Sequence, residues 1–211
     1  MVEILREFFD KLGVDWVLWL LLALSVVSLG IVIERWVFFA KNASSYKLIE
    51  SVLSKLLDAK LPDEEGLARI RAMRGMEASV ISEALAQRRH GPAAVEEVVA
   101  SVIARERVKH DRYLAFLGTL GNNAPFIGLF GTVLGIISAF QDLEASLAQG
   151  DETRNEAIMG SISEALVATA VGLLVAIPAV IAFNYFKGLI KTRATNAESL
   201  ARLLLARLRS E

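Results

Sequence analysis

Apolar residues are concentrated in three blocks along the chain, and polar residues fill the stretches between them. Each block approaches the length of about 20 residues that a helix needs to cross a bilayer. The pattern predicts transmembrane helices at 15–39, 114–140 and 160–186, the first with tryptophans near both ends, as in an interfacial aromatic belt. We therefore expect an all-α membrane protein with three transmembrane helices and long helical extensions.

The polar stretches before the second block also have helical patterns. Residues 1–14 have one apolar and one charged face, which predicts an amphipathic helix in the membrane interface, with a frayed terminus as the alternative. In residues 40–113 the apolar positions recur about every 3.6 residues, as on one face of a helix. From Pro92 the helical pattern continues without a strong breaker, and we expect one long helix that reaches Ala139.

Basic residues near the span ends are distributed unevenly, and the side with more of them is expected to be cytoplasmic. This bias places residues 40–113 and a mixed-charge C-terminal helix at 187–211 in the cytoplasm. It leaves the N-terminus and an acidic loop at 141–159 in the periplasm. The basic residues on the cytoplasmic side are Arg35, Lys41, Lys47, Lys55, Arg105, Arg107, Lys109, Arg112, Lys187, Lys191 and Arg193, whereas the opposite side has Arg6, Lys11 and Arg154.

The composition argues against nucleic-acid binding, metal binding and catalysis. A formal net charge of −1 gives no basic excess of the kind that nucleic acid attracts, so we expect no nucleic-acid partner. The chain has no cysteine and only two histidines, which argues against disulfides and metal sites. Phosphate loops, dinucleotide fingerprints and nucleophile elbows are absent from the sequence, and we predict neither an enzyme nor a cofactor.

The second and third blocks contain small residues at helical spacing, which allow another backbone to approach closely. Each block also contains a proline near its middle, which removes a helix hydrogen bond and kinks the axis. Two kinked helices that line one cavity and a simple packing irregularity are both compatible with this pattern. The predicted packing or pore-wall residues are Pro125, Gly128, Gly131 and Gly135 in the second block, and Ala168, Gly172 and Pro178 in the third.

Glu164 lies near the start of the third block. It is the one acidic residue close to the rows of small residues in these two blocks. A carboxylate in a span is costly unless it faces a cavity or a partner, and counting by four places Glu164 with Ala168 and Gly172. Thr169 on the third block and Thr132 on the second are close to these rows, so their hydroxyls are candidates to face each other along a proton path. The alternatives are a solvated Glu164 at the interface and threonines that bond only to the carbonyl one turn back.

The same two blocks resemble the MotA/TolQ/ExbB proton-channel family, and most closely its ExbB/TolQ branch. The residues that carry the resemblance are NNAPFIGLFGTVLGI at 122–136 and ISEALVATAVGLLVAIPAVIAFN at 162–184. Three spans, an outside N-terminus and a large cytoplasmic segment are similar to that branch as well. Residues 40–112 are less diagnostic.

The resemblance implies a stator in the inner membrane of a Gram-negative bacterium, built as a homopentamer around single-span helices of an ExbD/TolR-like partner. It implies that Glu164 matches the family's pore glutamate and that Thr132 and Thr169 match its two pore threonines. Proton flow would then transmit force to a TonB/TolA-like or gliding-machinery protein, for outer-membrane transport, envelope integrity or surface motility. A non-conducting scaffold and an autonomous ion channel are the alternatives. A single carboxylate is too few titratable groups for a proton path across about 30 Å of hydrocarbon. We therefore expect another chain to supply a further titratable group.

Overall fold

The computed structural model describes residues 15–58, 63–149 and 155–210, and these residues are almost entirely helical. The amphipathic helix predicted at 1–14 and the centre of the predicted loop, 150–154, lie outside the described residues. A short 3-10 turn, Arg88–His90, follows the fourth helix. The α-helices are α1 (Asp15–Lys41), α2 (Tyr46–Leu57), α3 (Asp63–Ala72), α4 (Met76–Ala86), α5 (Pro92–Asp111), α6 (Leu114–Gln149) and α7 (Asn155–Ser210).

Three of the helices, α1, α6 and α7, contain a stretch that is long and apolar enough to cross a membrane. The mean hydropathy of the best window is 2.6 in α1 and α7 but only 1.6 in α6, because α6 is rich in glycine and in asparagine and threonine. The chain is therefore an all-α membrane protein with three transmembrane helices and helical extensions, as the sequence predicts.

The chain divides into two compact units. The span unit comprises residues 15–32, 115–149 and 155–183 among those described, and the extension unit comprises residues 33–58, 63–114 and 184–210. The span unit buries a small apolar core to which α1, α6 and α7 all contribute. This core consists of Val17, Leu21, Leu120, Ala124, Leu134, Ala168, Val175, Ala176 and Ala179.

The extension unit buries its own core. Its largest fully buried aliphatic side chains include Ile49, Leu53, Ile70, Ile81 and Leu204, from α2, α3, α4 and α7. A tight approach between the link after α1 and the start of α4 requires glycine at position 75, where φ is +109°. A Cβ on Gly75 would lie 2.7 Å from Cβ of Ser44.

Arg193 of α7 holds the end of α1 within the extension unit. Its guanidinium donates hydrogen bonds to the carbonyl oxygens of Asn42 at 2.9 Å and Phe39 at 3.1 Å. The same group lies 5.1 Å from the centroid of the Phe39 ring. Since these carbonyls belong to the last turn of α1 and the residue after it, Arg193 satisfies backbone groups that the helix itself leaves free.

The end of the first span carries a charged pair, Glu34 and Arg35, in which the arginine is buried. Arg35 is only 2% exposed, and its Nε and Nη2 donate to the Glu34 carboxylate at 2.5 and 2.6 Å. The guanidinium also lies 4.5 Å from the Phe38 ring centroid. Burial is tolerated because a carboxylate and an aromatic face replace water around the charge.

The long helix predicted from Pro92 to Ala139 is interrupted. α5 ends at Asp111 and α6 begins at Leu114, with Tyr113 between them at φ +64°. This left-handed conformation breaks the helix without a glycine or proline, so the sequence carried no breaker signal. The Arg112 guanidinium lies 4.6 Å from the Tyr113 ring centroid and packs against this unusual residue.

The predicted loop at 141–159 is shorter in the structure. Residues 141–149 continue α6, and residues 155–159 already belong to α7. Leucine, alanine, glutamate and glutamine are good helix formers, and no glycine or proline occurs between Phe140 and Gln149. The acidic composition suggested a loop, but helix propensity decides the structure of this stretch.

Candidate functional site

The helices α6 and α7 of the span unit pack backbone against backbone along their small residues. A Cβ on Gly128 would lie 2.7 Å from the Ala168 carbonyl oxygen, and a Cβ on Gly172 would lie 2.7 Å from the Ala124 carbonyl oxygen. A Cβ on Gly135 would lie 3.0 Å from the Ser161 carbonyl oxygen. These three glycines define what we call the α6–α7 seam, and side chains at their positions would force the helices apart.

Gly131 of α6 lies where α1, α6 and α7 come into contact. A Cβ at this position would lie 2.7 Å from Cβ of Ala168 on α7 and 3.2 Å from a methyl group of Val17 on α1. Ala168 itself is fully buried. Gly131 and Ala168 therefore lie where α1 packs against the other two spans.

Thr132 and Thr169 are brought together across the seam, with their hydroxyl oxygens in hydrogen-bond contact. Thr132 Oγ1 also lies 3.0 Å from the Ala165 carbonyl oxygen and 3.3 Å from that of Gly128, and Thr169 Oγ1 lies 3.3 Å from the latter. Each hydroxyl has one proton. The set is satisfied when Thr132 donates to Ala165 and Thr169 donates to Thr132.

The sequence left two arrangements open for the threonines: contact between the two hydroxyls, or bonds to the carbonyl one turn back. The cluster contains both kinds of contact. The carbonyl of Gly128, one turn before Thr132, is within reach, as back-bonding predicts, but the hydroxyl is also within reach of α7. At Gly128 and Gly172 the two backbones are in contact, whereas Thr132 and Thr169 are each only half-buried. The pair therefore connects the helices with hydrogen bonds at a partly exposed place in the seam.

Pro125 and Pro178 lie inside α6 and α7, and both helices continue through them. Pro125 is half-buried and Pro178 is exposed. The Ala124 and Ala179 neighbours of these prolines are buried in the core of the span unit. The prolines therefore lie beside the seam, and the small residues next to them make the close contact.

Glu164 lies next to the seam but not in it. Its neighbour Ala165 is buried against α6, whereas Glu164 is exposed on the surface of the single chain, as are Leu166 and Val167. Counting by four groups Glu164 with Ala168 and Gly172, and both of these residues are buried. Each step of four residues turns about 40° more than one full helical turn, so Glu164 lies at the exposed edge of this face. The structure does not bring Glu164 into the hydroxyl cluster of Thr132 and Thr169.

A polar contact between Ser161 and Asp142 joins α7 to α6 beyond Gly135, and the sequence did not predict it. The Ser161 hydroxyl donates to the Asp142 carboxylate at 3.1 Å. Asp142 was assigned to an acidic loop, so its place on α6 was missed. The helix-forming residues from Gln141 to Gln149 were the signal that could have shown it.

The described residues contain no group of three or more histidine, aspartate or glutamate side chains that could hold a metal ion. The polar groups at the seam are two hydroxyls, one serine–aspartate pair and one exposed glutamate. These groups can donate, accept and exchange protons, which is the chemistry that the arrangement offers.

A family model described as the MotA/TolQ/ExbB proton channel family matches residues 71–199. This range includes Glu164, Thr132 and Thr169, together with the whole α6–α7 seam. The match therefore covers all of α6 and α7 up to residue 199.

Named relatives match the chain as well. A biopolymer transport protein ExbB from Neisseria gonorrhoeae is 35% identical over 162 residues, which are 77% of this chain and 67% of the relative. A biopolymer transport protein ExbB from Salmonella typhimurium is 31% identical over 195 residues, 86% of this chain and 78% of the relative. The Tol-Pal system protein TolQ from Pseudomonas aeruginosa is 46% identical over 99 residues, 45% of this chain and 41% of the relative.

Proposed function

Because the chain belongs to the MotA/TolQ/ExbB proton channel family, we propose that it is a proton-conducting stator subunit of an ExbB/TolQ-type motor in the inner membrane. In this proposal the subunit uses the proton motive force to drive a single-span ExbD/TolR-like partner. The energised process is outer-membrane transport, envelope integrity or surface motility, through a TonB/TolA-like or gliding-machinery protein.

The exposure of Glu164 is the observation that carries the proposal. A carboxylate on the outer surface of an apolar membrane helix is expensive if lipid surrounds it. Since Glu164 does not turn inward against α6, another chain or a water-filled space has to face it. A ring of subunits, each presenting Glu164 to a common lumen, provides such a space, and we propose a homopentamer with the partner inside.

The close contact of α6 and α7 supports a path that runs beside the seam and not through it. Backbone contacts at Gly128 and Gly172 leave little room between the helices there, and we propose that the path follows the face of α7 that carries Glu164. Thr132 and Thr169 then act at the wall of this path, where their shared hydrogen bond holds the two helices together. The partner supplies the further titratable group that one carboxylate per subunit lacks.

Proton flux in liposomes tests the proposal. The purified chain is reconstituted with a single-span ExbD/TolR-like protein, and flux under an imposed pH gradient is followed with a pH-sensitive dye. We expect Glu164→Gln to abolish the flux because the side chain keeps its size and polarity but no longer titrates. Glu97→Gln, at an exposed carboxylate on α5, is the matched control and is expected to conduct normally.

The possible results separate the competing functions. Full flux through Glu164→Gln would refute the proposed role of this carboxylate. Flux through the chain without its partner would identify an autonomous channel. The tight seam favours a scaffold as the second candidate: a scaffold would lose assembly on Gly128→Leu or Gly172→Leu and would tolerate Glu164→Gln.

A further inference from the structure

Asp142 and Ser161 form a polar contact between α6 and α7 in the span unit. The Ser161 hydroxyl donates to Oδ2 of Asp142 at 3.1 Å, and both side chains are half-buried. A serine in a helix usually bonds to a carbonyl of its own preceding turn. Here the hydroxyl reaches the neighbouring helix instead, so the bond joins α7 to α6 near the first turns of α7.

The residues on both sides of Glu164 are held by α6. Ser161, three positions before it, is bound through its hydroxyl, and its carbonyl oxygen lies against Gly135, where a Cβ would be 3.0 Å away. Ala165, directly after Glu164, accepts a hydrogen bond from Thr132 at 3.0 Å. Glu164 is therefore bracketed by two points of attachment that fix its helical turn and its outward direction.

We infer that Asp142 is a positioning residue for Glu164, and that it acts as the hydrogen-bond acceptor that fixes Ser161 and with it the start of α7. This inference rests on the proposed function of Glu164. In this role Asp142 does not touch the transferred proton. Its carboxylate matters as an acceptor of fixed position, and an amide oxygen in the same place can replace it.

The inference follows because the attachment at Ala165 has other contacts that support it, whereas the attachment at Ser161 depends on its bond to Asp142. Ala165 is deep in the seam, where close backbone contacts and the threonine cluster support it independently. Ser161 lies in the second turn of α7, closer to the beginning of the helix than Ala165, and its hydroxyl bond to Asp142 holds this turn to α6. Loss of the Asp142 contact therefore loosens the turn that ends at Glu164, and leaves the remainder of the seam in place.

Carbodiimide labelling of Glu164 measures this effect without any partner protein. Dicyclohexylcarbodiimide reacts with protonated carboxyl groups in apolar surroundings, and greater access of water favours the ionised form. We expect Asp142→Ala and Ser161→Ala to slow the labelling of Glu164, located by peptide mass spectrometry, by the same factor. A factor of about two to ten corresponds to the net contribution of one hydrogen bond.

Two further variants show whether the bond itself is responsible. Asp142→Ala combined with Ser161→Ala should be no slower than either single variant, because both remove the same contact. Asp142→Asn should label at the rate of the unmodified protein, since its side-chain oxygen still accepts from Ser161. Glu97→Ala, at an exposed carboxylate on α5, is the control and should not change the rate.

Three results would overturn the inference: an unchanged rate in Asp142→Ala, additive effects in the double variant, or an Asp142→Asn protein as slow as Asp142→Ala. The last would show that the charge of Asp142 acts directly on Glu164. Proton flux with the partner separates this inference from the proposed function. If Glu164→Gln conducts normally, the proposed function fails whatever the labelling shows, whereas a conducting Asp142→Ala with unchanged labelling overturns the positioning role alone.

Discussion

At the scale of single residues, His110 at the end of α5 has an environment that opposes its protonation. The ring is 1% exposed and is packed edge-on against Phe38 and Phe39. Nδ1 lies 2.8 Å from the Glu106 carbonyl oxygen and donates to it, which leaves Nε2 as an acceptor without a partner among the described residues. Burial lowers the pKa of His110 below its ordinary value of 6.5, against the raising effects of the Glu106 carbonyl and carboxylate.

This residue predicts a loss of stability in acid. In the unfolded chain His110 takes up a proton as the pH falls through about 6.5, whereas the folded protein takes it up only at lower pH. The unfolded state therefore binds more protons in this range, and the free energy of unfolding decreases as the pH falls below the unfolded pKa. The decrease ends below the folded pKa, where both states are protonated.

Thermal unfolding in detergent between about pH 7.5 and pH 5.5 measures this contribution. Replacing His110 with asparagine keeps a donor for the Glu106 carbonyl but removes the titration, and we expect the midpoint to depend less on pH than in the unmodified protein. His90→Asn, at an exposed histidine, should keep the original dependence. An identical pH dependence in His110→Asn and the unmodified protein would contradict the prediction.

The sequence predicted individual residues well where helical counting was enough. It paired Thr132 with Thr169 across two helices, and the structure places their hydroxyls in contact. It grouped Glu164 with Ala168 and Gly172, which are buried, whereas Glu164 itself is exposed on the single chain, because steps of four residues drift around the helix. Asp142 and His110 were not assigned any role, since their importance depends on contacts with residues far away in the chain.

At the scale of helices, the α6–α7 seam depends on glycine at specific positions. We expect Gly128→Ala and Gly172→Ala to destabilise the protein by about 1–3 kcal/mol, the usual effect of overpacking. In both cases the added methyl group would meet a backbone carbonyl oxygen at 2.7 Å, and a backbone cannot move aside as a flexible side chain can. The change in unfolding free energy in detergent gives the measurement.

Gly30 in α1 provides the matched control for these two variants. A Cβ at this position meets no side chain and no other helix within 4 Å among the described residues, so Gly30→Ala should not lower the stability. If Gly30→Ala were as destabilising as Gly128→Ala, the cause would be the loss of glycine in a membrane helix generally. The close approach of α6 and α7 would then not explain the effect.

The helices themselves were predictable from the sequence, but their ends were less so. Apolar blocks of bilayer length give the same three spans in the sequence and in the structure, because length and hydropathy alone determine them. The break at Tyr113 was missed, since a tyrosine at positive φ is held by surrounding contacts and not by its own preference. The continuation of α6 to Gln149 was missed because acidity was given more weight than helix propensity.

At the scale of the whole molecule, the charge distribution makes a prediction about membrane orientation. Eleven basic residues near the span ends belong to one predicted side and three to the other, and the richer side is expected to remain in the cytoplasm. On this basis residues 40–113 and the C-terminus are cytoplasmic, while the connection between α6 and α7 is periplasmic. The absence of cysteine from the sequence allows single introduced thiols to be located without background.

Two exposed positions, Glu144 on α6 and Ser101 on α5, test this orientation when each is changed to cysteine in turn. A membrane-impermeant maleimide is added to cells whose outer membrane alone is permeable. We expect Glu144→Cys to react in these cells, and Ser101→Cys to react only after the inner membrane is broken. The unmodified protein controls for labelling at other groups. The reverse pattern would place the basic side of the protein in the periplasm, and Glu164 would then lie near the cytoplasmic end of its span, where it could not receive protons from outside.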